Sequence, residues 1–120
     1  MVKRDDWFRN GRWDEAAKEE FYAHLDRSRG PIKRIQYLQI KALALSKSQN
    51  PSDVESAIVL LQQATEEADN AAISDSKRRS TFQQWAKNSI VRQARVRRQQ
   101  GHNSDAIELF DLAVRREAGA

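Results

Sequence analysis

Apolar residues return along this chain every three or four positions, the spacing of one face of an α-helix. The best-formed stretch runs from Ile35 to Ala68, two striped segments joined by the polar turn Ser48–Ser52. A helix over 32–47 is predicted to carry Ile35, Tyr37, Leu38, Ile40, Ala42, Leu43 and Leu45. That set covers most of its circumference, so it must be packed on more than one side. The next helix sets Val54, Ala57, Ile58, Leu61, Ala64 and Ala68 in one row. A first helix from near Trp13 turns Ala16, Ala17, Phe21 and Leu25 inward. A long fourth, from Ser74 or Asp75 to Gln100, does the same with Phe82, Trp85 or Ala86, Ile90, Val91 and Ala94. A fifth shows Ala106, Leu109, Phe110, Ala113 and Val114. The prediction is an all-α fold of about five antiparallel helices.

Local signals set the ends. Asp14 and Glu15 suit a first turn, where carboxylates oppose the positive end of the helix dipole. Gly30 and Pro31 divide the first helix from the second, and Ser52 with Glu55 reads as a capping box for the third. Residues 69–76 read as a loop, 1–12 as an extended arm, and 117–120 as a frayed end.

Composition narrows the picture. The 120 residues are sized for one domain, with 1–12 as the arm and 13–117 helical. Only 39% of them are apolar and 32% are charged, so the predicted core is thin and elongated. There is no cysteine, hence no disulfide and no thiolate metal site. No apolar run reaches signal-peptide or membrane-spanning length, and a soluble cytoplasmic protein with no membrane contact is the expectation. Charge is unevenly placed: residues 1–76 are net −2 and residues 77–120 net +6. No acid interrupts 77–98, and a field of one sign attracts an acidic partner, protein or nucleic acid.

The helix starts repeat a motif. Ala57, Leu61 and Ala64 are matched in spacing by Ala106, Phe110 and Ala113, and in part by Ala16, Glu20 and Ala23. Two alanines seven apart let a neighbouring helix approach, and the large residue between them fills the gap. The pattern resembles the second helix of a tetratricopeptide (TPR) repeat. The copies are 41 and 49 residues apart against about 34 in a regular TPR, so the resemblance is to a degenerate stack over 13–117. The opening from Trp7 to Glu15 also resembles the start of small bacterial TPR-like proteins. An unrelated helical bundle is the alternative, because this spacing recurs in amphipathic helices.

Little points to catalysis. His24 and His102 have no acidic or histidine neighbour at metal-ligand spacing, and no phosphate loop or nucleophile motif is present. No enzyme activity, cofactor or metal is expected. The aromatic cluster Trp7, Phe8, Trp13, Phe21 and Tyr22 reads either as an arm folded back over the helices or as a patch that docks another chain. A short stack also suggests a possible homodimer. The TPR resemblance implies a groove lined by Gln36, Gln39, Leu43 and Lys47 of the second helix and by Asn88, Val91, Arg92, Arg95 and Arg98 of the fourth. Amides and arginines there would suit an acidic protein segment, since guanidinium pairs bidentately with carboxylate. The expected function is therefore a protein-interaction adaptor. The rival is a nucleic-acid-binding protein using Lys77, Arg78, Arg79 and Arg97 with Arg92, Arg95 and Arg98, though these spread around the helix. The bland reading is a solvated basic face.

Overall fold

The computed structural model describes residues 6–118, and residues 1–5 of the expected arm and 119–120 of the expected frayed end lie outside them. The fold is all-α: α1 (Asp6–Arg9), α2 (Glu15–Arg27), α3 (Pro31–Ser46), α4 (Pro51–Ser74), α5 (Arg79–Gln99) and α6 (Asn103–Ala118), with a 3₁₀ turn at Ser76–Arg78. The chain divides into two compact units, Met1–Leu60 and Leu61–Ala120, and the division falls within α4.

In the first unit, α2 buries Ala17, Phe21 and Leu25. Asp14 is its N-cap: the carboxylate accepts from the Ala17 N–H at 2.8 Å, which holds the Asp14 pKa below its ordinary value. Instead of lying extended, the arm turns into α1, which packs on α2 and α3 and buries Phe8. Trp7 stands edge-on to Phe8 and Tyr37 and stacks on His24 at 4.7 Å, so the aromatic cluster folds back on its own unit. Gly30, at φ 80°, precedes α3, and Pro31 is its first residue. The expected capping box at Ser52 is replaced by Asn50, whose Oδ1 accepts from the Ser52 N–H at 3.0 Å with Pro51 next in line. The prolyl ring fixes a helical φ at residue 51, so the helix starts two residues earlier than the box requires.

The second unit holds the C-terminal part of α4 with α5 and α6. Residues 69–74, expected as loop, continue α4 because Ala71 and Ala72 are buried there and alanine favours the helix. Asp75 then stops it and caps the 3₁₀ turn, accepting from the Arg78 N–H. α5 ends where Gly101, at φ 82°, donates to Arg98 O and His102 N–H donates to Arg97 O. α6 returns antiparallel, as the pairs Lys87–Glu117 and Arg98–Phe110 show. Glu117 is thus inside α6 rather than in a frayed end.

The three copies of the small–large–small motif differ in burial. Ala57, Leu61 and Ala64 are all buried, and Ala106 and Ala113 are buried around a half-buried Phe110. Ala16, Glu20 and Ala23 are exposed, and α2 packs through Ala17, Phe21 and Leu25 instead. Val114, expected inward, is exposed.

Candidate functional site

α5 has two distinct sides. Phe82, Ala86, Ser89, Ile90, Gln93, Ala94 and Val96 are buried, and Gln93 is tied across to α4 by a 3.3 Å bond from Nε2 to Thr65 Oγ1. Arg92, Arg95 and Arg98 all lie on the exposed side. Residues three apart drift by about 60° around a helix, so the three guanidinium groups cover roughly a third of its circumference. The row is therefore narrower than the sequence suggested, because Arg97 leaves it: that side chain is half-buried and donates to Gln100 Oε1 at 3.0 Å. Asn88 continues the exposed side and accepts from Gln84 Nε2 at 3.0 Å, and Val91 is half-buried at its edge.

Several other cations of the unit are engaged, whereas Lys77 is exposed at the 3₁₀ turn. Arg116 donates through both Nη atoms to Asp69, at 2.9 and 3.0 Å, and that hydrogen bonding raises its pKa further. Lys87 pairs with Glu117 at 3.4 Å, Arg115 with Asp111 at 3.1 Å, and Arg78 with Asp75 at 3.9 Å. Arg79 donates from Nε to Ala72 O at 3.1 Å. No carboxylate among the described residues holds Arg92 or Arg95, and Arg98 lies over the Phe110 ring at 5.8 Å. The cause is in the sequence: 77–98 contains no acid, so no partner exists one turn away on the same helix.

The other expected residues lie on α3, in the first unit. Gln36, Leu43 and Lys47 are exposed on one stripe, and Gln39 is half-buried at its flank. Leu43 is 48% exposed although apolar residues cover most of the circumference of its helix. Lys77, Arg78 and Arg79, offered for nucleic acid, are exposed around the 3₁₀ turn.

Three features escaped the sequence reading. An open cleft of about 760 Å³ in the second unit lies among the end of α4, the start of α5 and the end of α6, with Ile73, Arg79, Gln83 and Lys87 in its wall. α6 exposes Ile107 and Val114, a surplus visible in its sequence as more apolar positions than one face can hold. Lys41 is fully buried in the first unit, with Nζ donating to Asn10 O at 2.7 Å and to Asn10 Oδ1 at 3.0 Å, and standing 5.5 Å from the Trp13 ring centre. Burial first, then the Arg12 charge, lowers its pKa to about 8, partly offset by Glu20. Its place on the buried stripe of α3 was legible, but its partner is 31 residues away.

No protein-family model, curated protein or solved structure matches this chain. No described helix is long and apolar enough to cross a membrane, and no group of acidic, histidine or cysteine residues that would hold a metal ion occurs among the described residues.

Proposed function

We propose that this chain is a non-enzymatic adaptor, a degenerate TPR-like stack of helical hairpins, that binds an acidic segment of another protein. The observation that carries the reading is the row Arg92, Arg95 and Arg98: exposed, on one side of α5, and held by no carboxylate among the described residues. Guanidinium groups in such a row meet carboxylates through paired N–H···O bonds, stronger than neutral ones. Beside the row on α5, the exposed Asn88 amide supplies a donor and an acceptor for an extended backbone. The proposed setting is the cytoplasm, and the resemblance makes it a bacterial one.

A pull-down from the native host, with captured proteins competed by poly-glutamate, tests this reading. The triple variant Arg92→Glu, Arg95→Glu, Arg98→Glu should recover none of the competable partners. Unchanged recovery would sink it. One observation favours a second reading, contact with nucleic-acid phosphates: the three arginines share a side, and Lys77, Arg78 and Arg79 are exposed on the same helix and its leading turn. A gel shift across salt concentrations decides, since phosphate contacts weaken steeply with salt. No complex at low salt eliminates it.

A further inference from the structure

The arginine row does not stand alone. α6 runs antiparallel beside α5; its outward side carries Ile107 and Val114, and the half-buried Phe110, three and four residues away from them, continues the stripe toward α5. Ile107 is 67% and Val114 62% exposed, while α6 packs inward through Ala106 and Ala113. The stripe and the row touch, because the Arg98 guanidinium lies over the Phe110 ring at 5.8 Å. An apolar stripe met at Phe110 by Arg98, the last member of the arginine row, is a surface with two complementary requirements. On its far flank α6 bears Glu108 and the Asp111–Arg115 pair, so carboxylates of a bound segment are favoured on the α5 side only.

We infer that the occupant of this surface is an amphipathic helical segment of another protein, with apolar residues one turn apart seated on Ile107, Phe110 and Val114 and with acids along one flank meeting Arg92, Arg95 and Arg98. The inference rests on the acidic-partner reading above and adds the apolar anchor. A phosphate backbone offers nothing to the apolar stripe, whereas an amphipathic helix satisfies both halves at once. Such a helix would displace water from the exposed Ile107 and Val114 side chains.

Two labelled peptides of identical composition separate the possibilities by fluorescence anisotropy at physiological salt. One carries leucines at helical spacing with glutamates on a single flank, and the other has the same residues scrambled. The patterned peptide should bind at least about tenfold tighter, the effect of burying one large apolar side chain. Val114→Asp, whose retained fold is checked by circular dichroism, should abolish that preference, and Arg95→Glu should weaken both peptides. Equal binding of the two peptides, or a preference that survives Val114→Asp, overturns the inference and leaves the acidic-partner reading standing. If neither peptide binds at low salt and the arginine variants change nothing, that reading falls as well. Sedimentation velocity supplies the last arm: a dimer that Val114→Asp dissolves would make a second copy the occupant and overturn the proposal.

Discussion

Arg116 of α6 grips Asp69 of α4 with two near-parallel hydrogen bonds, of 2.9 and 3.0 Å, the fork geometry that a carboxylate and a guanidinium make best. Both side chains keep over a third of their surface in water (35% and 39%), so solvent screens much of the attraction. Asp69→Ala should lower stability by about 1 kcal/mol, and a double-mutant cycle with Arg116→Ala should return a coupling of similar size. Urea denaturation of the four proteins measures it.

Lys41 makes stability depend on alkaline pH. Its pKa of about 8 in the folded chain lies below the roughly 10.4 of an unfolded lysine. Between those values the unfolded state binds more protons, so stability rises with pH, by at most roughly 3 kcal/mol from this group. Urea midpoints should therefore increase from pH 7.5 to 9.5, and Lys41→Met should flatten the rise. Tyr22, whose pKa burial raises, works the other way above its ordinary range, so the measurement stops short of it.

The alanines of the repeated motif are not equivalent. Ala57 is fully buried, and Leu in its place should cost about 1–3 kcal/mol by overpacking. Ala16 is exposed on α2, so Ala16→Leu should change stability by less than about 0.5 kcal/mol. Thermal melts of the two variants should differ accordingly, and equal melting temperatures would show the motif copies to be packed alike.

Gly101 holds φ at 82°, where an L side chain is strained even though no atom lies within 4 Å of a built Cβ. Gly101→Ala should lose roughly 1 kcal/mol, and Gly101→Asn less, because asparagine tolerates the left-handed region better. Chemical denaturation ranks the three.

Most helices could be read from periodicity, because the spacing of apolar residues follows directly from helix geometry. Ala57, Leu61, Ala64, Phe82, Ile90 and Ala94 are buried as that spacing requires. The reading slipped where spacing is ambiguous or charge misleads. At Ala16 and Ala17, two adjacent alanines fit neighbouring faces, and only packing around Phe21 selects the second. At 69–74, polar residues suggested a loop, yet Ala71 and Ala72 are buried in a helix that continues. Lys41 looks like a surface residue to any composition count, and its burial depends on Asn10 and Trp13 arriving from far along the chain. Of the candidate site, the charges of α5 were legible but not their allocation: Arg97 turned inward, and the partners of Arg78, Lys87 and Arg116 are set by tertiary structure.

The turn at Gly101 also decides what the end of α5 has to offer. Its backbone N–H and that of His102 take up the carbonyls of Arg98 and Arg97, so the helix closes on its own main chain. Neither arginine side chain is needed as a cap, and Arg98 is released to lie over Phe110 at the junction of charge and apolar surface. On the proposed reading, a residue with no side chain would thereby contribute to recognition without touching the partner. Replacing it should shift binding selectivity as well as stability, an effect that a map of contacting residues would never reveal.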